Sequence, residues 1–314
     1  MVPAFEPDAR LRDALQSVLD QAPPPEEMQI TVVDDASAVC NVERLVRSID
    51  PGGRVDVITH RSRLGLAGNW NRAIAVARGQ LVHLLHQDDA VRPGFYAAID
   101  RGFRRADDVG MAFCRCVIVD DHDRQMKTTS RQQWLAGVLA NWLPTIAERQ
   151  RIQTPAAVVA RRTYETLGGY RHDLCHALDW EMWVRIAARY RVWYEPRTLA
   201  VYRRHVANET SRLFASGAVW PDMARAMRIN AATLPDSIRH TTLAASVRWH
   251  AASAMRTAER QLAAGATPAA AATLRAIPDL LDVLDGRIVE GVATRRLAAL
   301  RARLRDKTLL RRVA

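Results

Sequence analysis

Two short apolar runs in this sequence each end on a pair of aspartates. The first is Gln29–Val33, followed by Asp34 and Asp35, and the second is Leu81–Leu85, followed by His86-Gln87-Asp88-Asp89. Short apolar runs bounded by turn residues are typical of buried strands in a parallel sheet. In open α/β sheets, ligands bind just outside the carboxyl ends of the strands. The sequence therefore predicts a polar site built from strand ends.

Helical segments separate these strands. Apolar residues recur at helical spacing over 11–19, 42–49 and 66–77, and a further strand is expected at 55–59. This alternation predicts an α/β fold with a doubly wound, mostly parallel sheet flanked by helices. Met1–Glu6 has the pattern of the end of an opening strand, so the first strand is expected to be truncated. Whether the true start lies upstream of Met1 is left open.

The pattern changes in the last third of the chain. Upstream of the change, further strands and one helix are expected at 109–119 (strand), 156–160 (strand), 179–190 (helix), 192–194 (strand) and 199–203 (strand). Beyond about residue 212 the pattern is wholly helical and rich in alanine, and Thr267-Pro268 is a typical helix start. The sequence therefore predicts an α/β domain at 1–212 and a basic, all-α C-terminal extension at 213–314.

Charge and cysteine content narrow the class of protein. The net charge of +11 comes mainly from arginine, because Lys127 and Lys307 are the only lysines. Such a surface attracts phosphorylated ligands, anionic lipid or nucleic acid. The four cysteines fit no zinc spacing, and Cys114 and Cys116 lie in an apolar run that predicts buried, reduced thiols. With no signal peptide and no bilayer-spanning run visible, we expect a cytoplasmic protein. Peripheral attachment at the inner face of the membrane is left open.

The aspartate pairs have two interpretations. Asp88 and Asp89 at a strand end suit a hard cation such as Mg²⁺ or Mn²⁺, which would hold a substrate phosphate. Alternatively, they start the next helix, because Asp caps helix N-termini well. The same alternative applies to Asp34 and Asp35, which could form an ordinary capping turn.

Several motifs occur in a recognisable order between residues 1 and about 210. They are Pro3-Ala4-Phe5, Ser17-Val18-Leu19-Asp20-Gln21, Val32-Val33-Asp34-Asp35-Ala36-Ser37, Gly65-Leu66-Ala67-Gly68-Asn69-Trp70-Asn71-Arg72, Leu85-His86-Gln87-Asp88-Asp89, Gly168-Gly169-Tyr170, Leu178-Asp179-Trp180-Glu181-Met182-Trp183 and Tyr202-Arg203-Arg204-His205. Their order and spacing resemble the family 2 glycosyltransferases. These are inverting enzymes of the GT-A fold that use nucleotide-sugar donors.

The resemblance implies a role for each motif. The nucleotide would be bound by Pro3, Ala4, Phe5, Asp34, Asp35, Arg61, Asn69, Arg72 and Gln87. Asp88 and His205 would hold Mg²⁺ or Mn²⁺, and His86 stands where the family has the first Asp of its metal motif. Asp89 and Arg203 would lie beside the metal or the donor sugar. Gly168, Gly169 and Trp180 would lie on the acceptor side.

The resemblance also implies a catalytic residue. Asp179 matches the family's catalytic carboxylate, with Leu178 in place of the preceding Glu. As general base, Asp179 would take a proton from an acceptor hydroxyl while that oxygen attacks the anomeric carbon. A single in-line displacement then inverts the configuration. His176 is the reserve candidate, and the alternative for Asp179 is a plain helix cap.

The expected activity is therefore inverting sugar transfer. A UDP-sugar is the expected donor, with dTDP- and GDP-sugars as alternatives. The acceptor would be a surface polysaccharide, a lipid-linked saccharide or a protein, and no nucleic acid partner is expected. A nucleotidylyltransferase would need a Gly-rich loop where Pro3–Asp8 stands. The other alternative is a non-catalytic scaffold that binds nucleic acid or membrane through its basic tail. In that tail, either Leu297, Leu300 and Leu304 pack on the catalytic domain while the arginines are solvated, or the basic residues meet anionic lipid at the membrane surface. These basic residues are Arg295, Arg296, Arg301, Arg303, Arg305, Arg311 and Arg312.

Overall fold

The computed structural model of the chain describes residues 1–205, 209–284 and 292–313. The strands in these ranges are β1 (Val2–Ala4), β2 (Thr31–Asp34), β3 (Asp56–Thr59), β4 (Leu81–His83), β5 (Ala90–Val91), β6 (Val109–Val119), β7 (Gln125–Thr128), β8 (Gly137–Val138), β9 (Ala157–Ala160) and β10 (Arg191–Arg203). The helices are α1 (Arg10–Leu19), α2 (Val42–Ile49), α3 (Gly65–Val76), α4 (Phe95–Arg105), α5 (Trp142–Glu148), α6 (Arg161–Leu167), α7 (Leu178–Ala187), α8 (Glu209–Ser216), α9 (Val219–Thr233), α10 (Asp236–Ala263), α11 (Thr267–Leu281) and α12 (Val292–Val313). Residues 285–291 of the predicted extension, and Ala314, lie outside the described residues.

The N-terminal strands form the predicted parallel sheet, in the order β1-β2-β3. Ala4 pairs with Asp34, and Asp34 pairs with Thr59, so the three carboxyl ends lie side by side. The backbone N–H of Leu85 donates to the carbonyl oxygen of Met1 at 3.0 Å, which ties the segment after β4 to β1. The residues that follow β1, β2 and β4 therefore meet at one edge, as the alternation of strands and helices predicted.

The second sheet is mixed and has the order β4-β9-β6-β10-β5, with β7 on β6 and β8 on β10. Its two long strands, β6 and β10, are parallel, whereas β9 and β5 run antiparallel to their neighbours. The prediction of two short strands at 192–194 and 199–203 was wrong, because both belong to β10. Pro196 lacks the N–H of a regular ladder, and the register shifts between Glu195 and Thr198 accommodate it.

The core uses the apolar faces that the sequence indicated. Leu11, Leu15 and Val18 of α1 are all buried, and each such side chain contributes about 1.5–3 kcal/mol through burial. Cys114 and Cys116 are buried and free, as predicted. Burial raises the pKa of Cys114 to about 12, so its thiol stays protonated near neutral pH.

The chain divides into two compact units. The first comprises residues 1–142, 151–172 and 185–205. The second comprises 143–150, 173–184 and the described residues of 206–314, including α8 to α12. Residues 143–150 and 173–184 thus belong with the C-terminal helices, and α8, which begins at Glu209, crosses the predicted boundary at 212. The predicted helix start at Thr267 is confirmed, with Pro268 in the first turn of α11.

The last helix, α12, contacts α10 and α11. Leu297 and Leu300 are buried, and Arg296 pairs with Glu259 of α10 at 2.8 Å. The apolar stripe therefore contributes to the core of the second unit, while Arg295, Arg301, Arg303 and Arg305 are exposed. No helix among the described residues is long and apolar enough to cross a membrane.

Candidate functional site

The loop after β4 is clamped to the end of β1 by the side chain of Gln87. The N–H of Phe5 donates to Gln87 Oε1 at 2.8 Å, and Gln87 Nε2 donates to the carbonyl oxygen of Phe5 at 3.2 Å. This pair of hydrogen bonds holds the loop that carries Asp88 next to the backbone of Phe5. The predicted nucleotide contact of Gln87 stays a prediction, and the clamp is a role that the motif did not indicate.

Glu6 links the loops after β1 and β2, and the sequence interpretation did not include it. Its φ of 44° is in the left-handed region, and its carboxylate accepts the N–H groups of Ala38, Val39 and Cys40 at 2.7–3.1 Å. These backbone hydrogen bonds, led by that of Val39, lower the pKa of Glu6. The N–H of Glu6 donates to Ser37 Oγ at 2.8 Å. A lone acidic residue after a strand gives no signal of such a partner 32 to 34 residues away.

Asp34 and Asp35 both accept hydrogen bonds from the protein. Asp34 Oδ1 accepts from the backbone N–H of Ser37 at 3.2 Å and from its hydroxyl at 2.5 Å. Asp35 accepts from the N–H groups of Leu64 and Gly65 at 2.6 and 2.9 Å. Asp35 thereby caps the N-terminus of α3 from a distance in sequence, whereas the predicted alternative was a cap on the next helix, α2, whose own cap is Asn41. The predicted contacts of both aspartates to a nucleotide stay a prediction.

Asn69 lies buried beneath the same edge. Its Nδ2 donates to the carbonyl oxygens of Ala4 at 3.3 Å and Val33 at 3.0 Å, and its Oδ1 lies 3.2 Å from His60 Nε2. The side chain therefore joins the ends of β1 and β2. Pro3 and Ala4 are buried in β1, so neither presents an exposed side chain to a nucleotide. Their predicted contact would have to come from the end of the strand.

Exposed arginines stand at this edge. Arg61 and Arg72, both predicted nucleotide contacts, are exposed. Arg63 was not in the predicted set, but its guanidinium lies 3.9 Å from the centroid of the Phe5 ring and 3.9 Å from Asp35 Oδ2. An aromatic ring with an arginine beside it suits a nucleobase or phosphate.

Asp88 and His205 form the closest pair of candidate metal ligands. His205 Nε2 lies 2.7 Å from Asp88 Oδ2, and its Nδ1 lies 3.1 Å from an Nη of Arg10. Because a guanidinium only donates, Nδ1 accepts this bond and Nε2 carries the proton that is donated to Asp88. Burial alone would raise the pKa of Asp88, but this hydrogen bond and the nearby histidines outweigh burial and lower it.

Asp89 is buried beside its neighbour. One oxygen accepts the N–H of Arg203 at 2.9 Å, and the other lies 3.1 Å from His86 Nδ1. Burial raises the pKa of Asp89 to about 6. The Arg203 guanidinium donates to the carbonyl oxygen of Asp88 at 3.2 Å, so Arg203 binds the backbone of Asp88 and the side chain of Asp89. His86 stacks on the buried Trp70, with ring centroids 4.9 Å apart.

These side chains include a set that fits a divalent cation. Ligand atoms of His86, Asp88 and Asp89 all lie within 4.8 Å of one another. Both oxygens of Asp89 already accept hydrogen bonds, whereas the side chain of Asp88 is bonded through Oδ2 to His205. Asp88 is therefore the best-placed ligand for Mg²⁺ or Mn²⁺ in this cluster.

The Gly168-Gly169 turn is fixed by Asn71 of α3. Asn71 Oδ1 accepts the N–H of Tyr170 at 2.7 Å, and its Nδ2 donates to the Tyr170 carbonyl oxygen at 2.9 Å. A Cβ on Gly169 would lie 2.2 Å from Asn71 Oδ1, and Gly168 has a φ of +81°. Gly168 is thus favoured by the backbone path and Gly169 by the close approach of the Asn71 side chain, and their predicted place on the acceptor side stays a prediction.

Asp179 lies in the second unit, in the first turn of α7, and is half-buried. Its Oδ1 accepts the N–H of Trp180 at 2.7 Å. Trp180 itself is fully buried, and its indole N–H donates to the carbonyl oxygen of Ile146 at 2.7 Å. Trp180 therefore has no exposed surface in this structure, and its predicted place on the acceptor side stays a prediction.

Comparison with known proteins places the chain among sugar-transferring enzymes. Residues 1–164 match the model of glycosyl transferase family 2. The chain is 32% identical over 235 residues to the uncharacterized protein MT1568 of Mycobacterium tuberculosis, a match that covers 68% of this chain and 69% of that protein.

Solved structures share the fold. Residues 1–349 of S. aureus TarS in complex with UDP-GlcNAc align with a TM-score of 0.65 and 16% identity, covering 98% of this chain and 87% of that one. The mannosyltransferase PcManGT of Pyrobaculum calidifontis, in complex with GDP-Man and Mn²⁺, aligns with a TM-score of 0.55 and 18% identity, covering 98% and 84%. The match over more than half of the sequence, together with the aspartate motifs at the strand ends, shows that this chain belongs to glycosyl transferase family 2.

Proposed function

We propose that the protein transfers a sugar from a nucleotide-sugar, with a UDP-sugar as donor, to an acceptor hydroxyl with inversion. The observation that carries this proposal is the pairing of Asp88 with His205 at 2.7 Å, on a loop that Gln87 clamps to Phe5. This arrangement puts metal-binding groups next to an aromatic ring and an arginine at the ends of strands. Family membership and the nucleotide-sugar complexes of TarS and PcManGT support the same conclusion.

Asp88 would hold Mg²⁺ or Mn²⁺, which offsets charge on the departing nucleoside diphosphate. His205 can become a ligand through Nε2 only if its proton moves to Nδ1, and that exchange removes the hydrogen bond from Arg10. In the arrangement described here, His205 instead donates to Asp88 and orients its carboxylate. His205 as a ligand is therefore a proposal that requires Arg10 to change partner.

The nucleoside would bind at the edge formed by Phe5, Asp34 and Asp35. Phe5 and the Arg63 guanidinium provide stacking surfaces, while exposed Arg61 and Arg72 supply positive charge for phosphate or ribose. Asp179 would accept the proton of the acceptor hydroxyl during the displacement. We propose an acceptor in surface polysaccharide, glycolipid or glycoprotein synthesis.

UDP with Mn²⁺ should raise the melting temperature of the purified protein. A ligand at about 100 times its Kd adds roughly 2.7 kcal/mol to the free energy of unfolding. UDP alone and Mn²⁺ alone serve as controls, and UDP-, dTDP- and GDP-sugars are then compared for stabilisation and for release of the nucleoside diphosphate. Stabilisation and turnover restricted to dTDP- or GDP-sugars would reassign the donor. If no donor stabilises the protein and none releases its nucleoside diphosphate, the proposed activity is contradicted.

We also propose a peripheral contact of α12 with anionic membrane. Arg295, Arg301, Arg303 and Arg305 of this helix are exposed, and Arg296, which is also exposed, pairs with Glu259. Because Leu297 and Leu300 are buried, this contact would be electrostatic, at about 1 kcal/mol per arginine near the surface. Flotation with phosphatidylserine vesicles should therefore be strong at low salt, weak at 0.5 M salt (about a 4–5 Å Debye length), and reduced by Arg-to-Gln changes at these four positions. Equal flotation of wild type and variant would refute the contact.

A further inference from the structure

The backbone just before α7 is held by a carboxylate from the C-terminal helices. Asp222 lies in the first turn of α9 and is 7% exposed. Its oxygens accept three successive N–H groups, those of Cys175 at 3.0 Å, His176 at 2.8 Å and Ala177 at 2.8 Å. These residues lead directly into the turn that carries Asp179.

This bonding supplies what the local sequence lacks. The first N–H groups at a helix start have no partner inside the helix, and a Ser, Thr, Asp or Asn just before the helix usually supplies one. Cys175, His176 and Ala177 carry no oxygen in their side chains. Asp222 accepts the N–H of Ala177, just before α7, and those of the two residues before it, and its negative charge is favourable at the positive end of the α7 dipole.

The same turn is held from a second direction through Trp180. Its ring packs against His250 of α10, with centroids 5.0 Å apart, and its indole N–H bonds to Ile146. His250 Nδ1 lies 2.9 Å from the carbonyl oxygen of Ser246, and burial lowers the pKa of His250 to about 4. The imidazole is therefore neutral at pH 7 and packs as part of the core.

We propose that Asp222 is a positioning residue for Asp179. It fixes the start of α7, so that the Asp179 carboxylate is presented in one orientation, and it gives the C-terminal helices a part in catalysis. This inference rests on the proposed role of Asp179 as general base. A misplacement of a catalytic group by about 1 Å can cost on the order of 100-fold in rate.

The test is Asp222→Asn in the full chain. Asparagine keeps the shape but turns one acceptor into an N–H donor that faces backbone N–H groups. We expect kcat for sugar transfer to fall about 10- to 100-fold, with KM for the donor unchanged. Amide exchange at residues 175–177 should become faster. The kinetic constants and the amide exchange are measured well below the melting temperature of the variant.

The matched control is Thr273→Val in the same unit. Thr273 is buried, and its hydroxyl donates to Gln261 Oε1 at 2.9 Å between α11 and α10. This change should lower the melting temperature without changing kcat. A folded Asp222→Asn protein with wild-type kcat would overturn the proposal, as would a loss of kcat that Thr273→Val reproduces at an equal drop in melting temperature.

Two further measurements cover the remaining cases. If Asp222→Asn does not fold, Trp180→Phe removes the bond to Ile146 while keeping a ring, and it should lower kcat in the same way; wild-type kcat there would overturn the proposal. If the wild-type protein transfers no sugar, the proposed function fails by itself. Whether Asp222 holds the backbone of residues 175–177 is then judged by amide exchange alone. Unchanged exchange at 175–177 in Asp222→Asn would refute that role.

Discussion

Asp179→Asn is expected to lower the turnover of sugar transfer by about 10² to 10⁴-fold, the usual cost of losing a general base. The variant should keep its fold, because asparagine caps a helix about as well as aspartate and its Oδ1 can still accept the N–H of Trp180. Donor affinity and melting temperature should therefore stay close to those of the wild type. Loss of turnover without loss of binding would separate a base from a cap.

The measurement is release of UDP in the presence of acceptor, together with titration of UDP binding. Asp236→Asn is the matched control, since Asp236 also stands in the first turn of a helix of the second unit but pairs with Arg239 at the surface. It should be silent in both assays. A wild-type turnover for Asp179→Asn would refute the assignment and move the search to Glu181, which is buried, or to His176.

Apolar spacing predicted the elements around the site well. The helix at 42–49 and the strand at 109–119 have the predicted bounds, because each is framed by a regular apolar pattern and a clear polar boundary. The ends of β2 and β4 were predicted to lie together because the carboxyl ends of parallel strands share one edge. The structure places Asp34 and Asp88 there.

The contacts that shape the site could not be predicted in the same way. Asp222 meets α7 across 45 to 47 residues, Gln87 meets Phe5 across 82, and Asn71 meets Tyr170 across 99. In each pair a polar side chain binds a backbone group, and backbone groups carry no signal in the sequence. Local pattern shows that such a side chain is polar, but only the folded chain determines which N–H or carbonyl it meets.

The same reason explains why the sequence did not indicate the structural roles of Asp35 and Asn69, whose predicted nucleotide contacts stay a prediction. Both are polar residues near strand or helix ends, and both are nearly fully buried. Asp35 caps α3, and Asn69 joins β1 to β2. Polar residues beneath a binding edge and polar residues that line it have the same local pattern. Burial distinguishes them, and burial depends on the whole fold.

Asp88→Asn is expected to abolish most of the metal-dependent part of UDP affinity. Loss of a group that merely supports a metal ligand typically costs about 10- to 100-fold in metal affinity, so replacing a ligand carboxylate should cost at least as much. The fold should persist, because the Asn side-chain oxygen can still accept the hydrogen bond from His205. The variant should therefore show an unchanged melting temperature without ligand and an affinity for UDP that no longer rises on adding Mn²⁺.

Titration of UDP with and without Mn²⁺ provides this measurement, and Asp100→Asn is its control. Asp100 is an exposed carboxylate on α4 that pairs with Arg104, so its loss removes the same charge from the first unit without touching the strand ends. Since long-range attraction falls off within about 10 Å at 0.1 M salt, a general charge effect would be small in both variants, and only a ligand effect would separate them. If Asp88→Asn keeps the Mn²⁺ dependence of the wild type, Asp88 is not the ligand. His86 and Asp89 would then have to release their mutual hydrogen bond at 3.1 Å to take its place.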